Sequence, residues 1–324
     1  MPAQIIDKSN MLKIIEEFPQ QCKSALGLSK GLSVSGKFDE IVVAGMGGSA
    51  VGGDLLSAFM HNSKLPVFVA RDYKLSNFVD ENTLVFAVSY SGNTEETISA
   101  FQDAVNKKAK IVAVTSGGML EKLAKRVIKV PSGIQPRAAL AYLFFPVLGV
   151  LANSGIIEVK SDEIQEMLNI LGNTGEFKSA GESIAKKIGG KTPIVYASEL
   201  LSAVAYRWKT QFNENSKMAA FYHTFSEMNH NEIAAYQTMG NDDFISIIIR
   251  DKDDNERIRK RMDLTKEIMS SRLCVEEIFT KGNGILSRMF SGIYFGDFAS
   301  YYAALANKID PTPVTVIENL KKKL

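Results

Sequence analysis

Leu84-Val85-Phe86-Ala87-Val88-Ser89-Tyr90-Ser91-Gly92-Asn93-Thr94-Glu95-Glu96 passes without a break from apolar to hydroxyl-rich to acidic residues. Five consecutive apolar residues read as a strand buried on both faces, and a helix follows from about 95 to 107. Upstream the same grammar recurs: Ile41-Val42-Val43-Ala44, the turn Gly45-Met46-Gly47-Gly48-Ser49, and the helix-like AVGGDLLSAFM. Val67-Phe68-Val69-Ala70 is a further strand, and Ile111-Val112-Ala113-Val114 leads into another Gly/Ser turn, Thr115-Ser116-Gly117-Gly118. Short apolar runs alternating with helical patterns predict an α/β, doubly wound fold on a parallel sheet.

The grammar restarts in the second half. Pro136-Arg137-Ala138-Ala139-Leu140 opens an apolar helix that ends near 153–155, and Gly172-Asn173-Thr174-Gly175 reads as a domain connection. Strands are expected at 193–197, 244–249 and 275–278, with helices from about 198, over 285–306 and over 314–324. A length of 324 residues suits two domains. The expected division is a helical lead-in over 1–24, broken at Pro19, a first domain over 25–155 and a second over 156–324.

Composition excludes several function classes. Lys+Arg number 38 against 36 Asp+Glu, a net charge of +2, so no nucleic-acid footprint is present. Two cysteines, Cys22 and Cys274, are too few for a disulfide framework. Three histidines in no metal-ligand spacing leave no metal site and imply no cofactor. The start MPAQIIDKSNMLKIIEEF lacks the basic-then-apolar pattern of a signal peptide, and the run 138–152 is too short to span a bilayer. A cytoplasmic protein without a membrane partner is expected.

Two turns invite an anion. Gly45-Met46-Gly47-Gly48-Ser49-Ala50 fits the dinucleotide pattern, with Asp72 after the next strand, and equally fits a tight strand-to-helix turn with no ligand. Ser89, Ser91 and Thr94 surround Gly92 just before a helix. A hydroxyl there is commonly only an N-cap. Three within six residues exceed what capping requires, and with free backbone N–H groups they form a phosphate site together with Gly47, Gly48 and Ser49.

GMGGSAVGGD, VSYSGNTEET and VTSGGMLEKLA together resemble a sugar isomerase (SIS) domain. With Pro136-Arg137, Asn213-Glu214-Asn215, His230-Asn231-Glu232 and a lysine-bearing helix after Asp310-Pro311-Thr312-Pro313, the chain resembles the bifunctional phosphoglucose/phosphomannose isomerases of archaea and some bacteria. The resemblance covers essentially everything after about residue 25. It implies two doubly wound SIS-type (flavodoxin-like) domains with parallel sheets plus a C-terminal helix. It also implies metal-independent interconversion of glucose 6-phosphate and mannose 6-phosphate with fructose 6-phosphate, a step of glycolysis and gluconeogenesis, in a homodimer.

Such chemistry moves a proton between C1 and C2 through a cis-enediol(ate). It needs a base, oxyanion stabilisation and help in opening the ring. The resemblance makes Glu214 the base, a role for which carboxylates are suited because burial brings their pKa toward neutrality. Asn213 and Asn215 either orient the substrate or serve the backbone. His230 is implied as the ring-opening acid/base, reaching into the partner subunit's site. His61 and His223 read as structural. Arg137, behind Pro136, either stabilises the enediolate or pairs with phosphate. Lys321 matches the family's C-terminal lysine, in a register shared with Lys322 and Lys323. Either Thr312 or Thr315 fits the threonine tied to acceptance of the mannose epimer.

Three other readings compete. A non-catalytic phosphosugar-binding SIS regulator would add a DNA-binding segment of roughly 60–80 residues, and none is spare. A sugar-phosphate amidotransferase half would carry a glutaminase domain with a catalytic cysteine. The dinucleotide enzyme is weakened by the second hydroxyl loop.

Overall fold

The computed structural model describes residues 3–240 and 243–324. Its contacts divide the chain into a first domain, Glu17–Leu168, and a second, Met1–Glu16 with Asn169–Leu324. The lead-in is therefore not one piece. Helices α1 (Ala3–Ile6) and α2 (Met11–Glu16) belong to the second domain, and α3 (Phe18–Leu26) to the first. The Asp7 carboxylate explains the first part: it accepts from the Met11 and Leu12 amides (2.7 and 3.0 Å) and from the Tyr301 hydroxyl (3.2 Å). Pro19 lies in the first turn of α3, where a missing N–H costs nothing, so it starts a helix as well as ending the run before it.

The first domain continues through β1 (Glu40–Ala44), α4 (Gly48–Phe59), β2 (Val67–Ala70), β3 (Thr83–Val88) and α5 (Glu95–Asn106). It ends with β4 (Lys110–Thr115), α6 (Gly118–Leu123), β5 (Val127–Lys129), a 3-10 turn at Pro136–Ala138 and α7 (Leu140–Asn153). The sheet is parallel in the order β2-β1-β3-β4-β5. Every residue of β3 is buried, as its unbroken apolar run requires. Strand order reverses between β1 and β3. In such sheets that is where ligands bind, outside the carboxyl ends of the strands.

Helix α8 (Ser161–Leu171) carries the chain into the second domain, and α9 (Thr174–Ile188) follows at once. Gly172 and Asn173 are thus the turn between α8 and α9, Thr174 and Gly175 opening α9 inside the second domain, and the division falls earlier, at 168/169. Next come β6 (Thr192–Ala197), a 3-10 turn at Glu199–Leu201, α10 (Ser202–Asn215), β7 (Phe221–Thr224), α11 (Phe225–Met228) and a 3-10 turn at Glu232–Gln237. The chain closes with β8 (Phe244–Arg250), α12 (Glu256–Ser270), β9 (Cys274–Phe279), α13 (Ile285–Ala306) and α14 (Thr315–Lys321). The sheet is again parallel, in the order β7-β6-β8-β9.

Helix α13 is buried on nearly all sides, and its neighbours fit it closely. A Cβ at Gly181 of α9 would lie 2.4 Å from that of Phe298, so only glycine permits the approach. Facing α10, the buried Asp297 carboxylate accepts from Arg207 (3.1 and 3.2 Å) and Gln211 (2.9 Å), pairing a charge that would otherwise be costly to bury. Among the described residues no helix is long and apolar enough to cross a membrane.

Candidate active site

In the first domain both glycine turns end at the strand reversal. Gly47 has φ +52° and ψ −126°, a conformation glycine alone tolerates, and a Cβ there would meet open space. No side chain caps α4 at Gly47, so its first amides are not consumed by a side-chain acceptor. Gly48 lies against the 136–137 backbone, where an added Cβ would sit 3.2 Å from the Pro136 oxygen and 3.5 Å from the Arg137 Cα. Ser49 and Arg137 are buried, whereas Pro136 is exposed.

The hydroxyl loop is held by its own bonds. Ser89 Oγ and Thr94 Oγ1 are 2.9 Å apart, the Gly92 amide donates to Ser89 Oγ (3.1 Å), and the Asn93 amide donates to Ser91 Oγ (3.2 Å). Thr94 occupies the N-cap of α5 without bonding the helix amides through its side chain. Capping is therefore not what these hydroxyls do. Their arrangement leaves the positive end of a twelve-residue helix beside an exposed Ser91 and half-buried Thr94.

The turn after β4 braces this loop, a role not read from the sequence. Ser116 donates to the Tyr90 carbonyl through both its amide (3.0 Å) and its hydroxyl (2.6 Å), and the Leu120 amide reaches the Gly92 carbonyl (2.9 Å). The Met119 amide donates to Asn93 Oδ1 (2.9 Å). Gly92 (φ +69°) sits so close to this turn that a Cβ would lie 1.7 Å from the Gly117 oxygen.

In the second domain Glu214 stands in the last turn of α10, half-buried, and lines a cavity of about 510 Å³ together with Asn213, Lys217, Asp310 and Thr315. The two flanking asparagines serve the scaffold. Asn213 donates to the Met218 carbonyl (2.9 Å) and Asn215 to Ser300 Oγ (3.0 Å), which fixes the end of α10 against α13. Of the two threonines, Thr315 lines the Glu214 cavity while Thr312 is buried, its amide bonded to Asp310 Oδ1 (3.0 Å). Lys321 is exposed at the end of α14, outside that lining.

His230 is exposed just after α11, its amide donating to the Glu227 carbonyl (2.9 Å). The neighbouring Glu232 is anchored inward by the Tyr196 hydroxyl, which also bonds Tyr236 (2.5 Å). Burial, with the Tyr236 hydroxyl and the Glu232 carboxylate beside it, raises the Tyr196 pKa so far that this phenol stays a hydrogen-bond donor. His223 and His61 bond locally, to the Thr224 backbone and the Ala58 carbonyl. Among the described residues no group of three or more His, Cys, Asp or Glu is placed to hold a metal ion.

Comparison with known proteins covers both domains. Residues 37–148 match the SIS domain, and residues 177–324 match the bacterial phospho-glucose isomerase C-terminal SIS domain. A bifunctional phosphoglucose/phosphomannose isomerase of Caldicellulosiruptor bescii is 42% identical, covering 97% of this chain and 98% of its own. The chain belongs to the bifunctional phosphoglucose/phosphomannose isomerase family. A second member, from Thermoplasma acidophilum, is 42% identical over 90% of this chain and 91% of its own. The chain is therefore an enzyme of the isomerase class, which displaces the regulator and dinucleotide readings. A solved structure from Clostridium difficile 630, described as a candidate phosphosugar isomerase, covers 96% of this chain and 97% of its own at TM-score 0.78. At 15% identity that likeness carries the fold alone.

Proposed function

We propose that the enzyme interconverts glucose 6-phosphate and mannose 6-phosphate with fructose 6-phosphate, without a metal ion, through a cis-enediol(ate). The observation that carries this reading is Glu214. Within a family of aldose–ketose isomerases, it is a half-buried carboxylate opening on a cavity of about 510 Å³ beside a threonine.

In this reading the sugar's phosphate accepts hydrogen bonds from Ser89, Ser91, Thr94 and Ser49 and from the amides beside Gly47 and Gly48. His230 moves a proton from O1 to O5 as the pyranose opens, and Lys321 attends that end of the sugar. Glu214 then removes the proton from C2 of the open aldose, and the electron pair becomes the C1–C2 double bond of the enediolate. The proton on the C2 oxygen passes to the C1 oxygen, and the same carboxylate returns its proton to C1 as the C2 oxygen becomes a carbonyl. Arg137, permanently charged, stabilises the negative oxygen that forms between these steps, and Pro136 sets its turn. Acceptance of both C2 epimers follows from the threonine wall, with Thr315 favoured over Thr312 because it lines the Glu214 cavity. A cytoplasmic homodimer completes the reading, the exposed His230 serving the partner subunit.

The test is a coupled assay of EDTA-treated protein on glucose 6-phosphate and, separately, mannose 6-phosphate, detecting fructose 6-phosphate. Turnover of both is expected. Loss of activity on chelation, restored by zinc, would contradict the metal-free step.

A further inference from the structure

Lys217, the residue two positions after the α10 helix, is not assigned by the reading above. Its φ of +52° lies in the left-handed region, where a helix normally ends on glycine. A lysine in that conformation asks for a reason in its side chain. The ammonium supplies one. It donates to the Glu214 and Asn215 carbonyls (2.9 and 3.3 Å) at the helix end, and to the Asp310 and Pro311 carbonyls (2.9 and 3.0 Å).

Capping α10 needs only the first pair. The second pair belongs to a segment more than ninety residues away in sequence. That segment leads through Thr312 and Pro313 to Val314 and Thr315, which line the same cavity as Glu214. The two prolines stiffen it, so holding its backbone at Asp310 and Pro311 fixes where the wall begins. Pro311 and Thr312 are buried where the ammonium reaches the segment, whereas α14 beyond has no buried residue.

We propose that Lys217 is a positioning residue for the isomerisation: its ammonium fastens the 310–315 wall to the helix end that bears Glu214, and so sets the tolerance of the site for the two C2 epimers. This rests on the isomerase reading above. A base displaced by about 1 Å from its carbon costs on the order of 10²-fold in rate, and that is the scale on which a loosened wall acts.

The experiment uses Lys217→Gly, Lys217→Met and Lys217→Arg in the full chain. Glycine suits the left-handed backbone, so that variant folds with its helix end intact. Hydrogen–deuterium exchange is read on peptides covering 309–318 and on a control covering 202–212. Exchange in the 309–318 peptide is expected to quicken about tenfold or more in the Gly and Met variants, with the control unchanged. Their kcat on both sugars falls roughly 10- to 100-fold with KM nearly constant, and the mannose-to-glucose ratio of kcat/KM shifts by about threefold or more. Arginine, which keeps the donors, restores both readouts.

Unchanged exchange in the Gly variant would overturn the fastening. Quickened exchange with unaltered kcat and epimer ratio would overturn the positioning role. A parent enzyme that turned over neither sugar would instead overturn the isomerase reading, and that control is run before any variant.

Discussion

The four-stranded sheet of the second domain repeats the order of four strands of the first, but the two domains close their equivalent loops in opposite ways. After β3, at the strand reversal of the first sheet, stand Ser89, Ser91 and Thr94, with the α5 amides left without a side-chain cap. After β8, at the reversal of the second, stand Asp251, Asp253 and Asp254. There Asp251 accepts from the Asp253 amide (2.8 Å), Thr280 (2.7 Å) and Arg288 Nε (3.0 Å), and Asp254 accepts from the Asp251 amide (3.0 Å). Asn255 caps α12 through its side chain, and Arg288 also pairs with Asp253 (2.8 Å). The second loop thus supplies its own anions and its own cation, and an incoming phosphate would meet carboxylates. Strand reversals in such sheets are where ligands bind, and side chains decide which of them is open to an anion.

The largest expected effect breaks the open loop. Gly92→Ala drives a Cβ into the Gly117 carbonyl and forces φ +69° on a residue that resists it, so the two braced turns must separate. A loss of about 4 kcal/mol or more in stability is expected, together with loss of detectable sugar-phosphate binding. Urea denaturation and calorimetric titration check both.

Asp251→Asn breaks the closed loop. The Asp251 and Arg288 side chains are 0% and 6% exposed, and removing the carboxylate leaves a buried guanidinium short of its main partner. Destabilisation of about 3 kcal/mol is expected. KM for sugar phosphates should stay within twofold of the parent (about 0.4 kcal/mol), because this loop binds no phosphate in the present account. A tenfold rise in KM would erase the distinction between the loops.

Thr94→Val sharpens the comparison with less damage. It removes one hydroxyl from the cradle at an N-cap whose side chain bonds no helix amide, and costs about 1.5 kcal/mol of phosphate binding, roughly a tenfold rise in KM at nearly parental stability. A loss of stability without a change in KM would make Thr94 a scaffold residue.

The smallest effect is a pH dependence confined to the second domain. Burial would raise the Glu277 pKa, but hydrogen bonds and charge from Lys266 and Arg250 outweigh it and hold the carboxyl below its ordinary 4.5. A depressed carboxylate stabilises the fold above that ordinary value, and the contribution fades as pH falls through the lowered one. Between pH 6 and 3 the Glu277→Gln variant should therefore lose less stability than the parent, as read from Tm against pH.

Much of this organisation is legible in the residues because central parallel strands must be apolar throughout. The runs at β1, β3, β4, β6 and β8 stand out for that reason, as does the all-round apolar α13. Of the edge strands, β2 and β9 also show, but β5 and β7 do not. In β7, Phe221 and Tyr222 are exposed, and β5 has three residues, so neither shows a buried run. Helix α12 hides for another reason: among its many charges only Met262, Thr265 and Met269 are buried, a stripe too thin to read beforehand.

Within the candidate site, motif residues were legible because glycines and clustered hydroxyls are unusual at a strand end. Their supports were not. The brace of Gly92 by the 115–118 turn, the anchoring of Glu232 by Tyr196 and the fastening of Asp310 and Pro311 by Lys217 all join residues distant in sequence. No local spacing announces such pairs. The domain division moved for the same reason, since Asp7 finds Tyr301 only once the chain has folded.

One carboxylate carries the proposed proton transfer, and Glu214→Gln tests it most directly. Calorimetry should show fructose 6-phosphate bound within about threefold of the parental affinity, while turnover of both aldose phosphates falls by roughly 10²–10⁴-fold. A variant that kept the parental rate would show that Glu214 is not the base, and the proposed proton transfer would have to be abandoned.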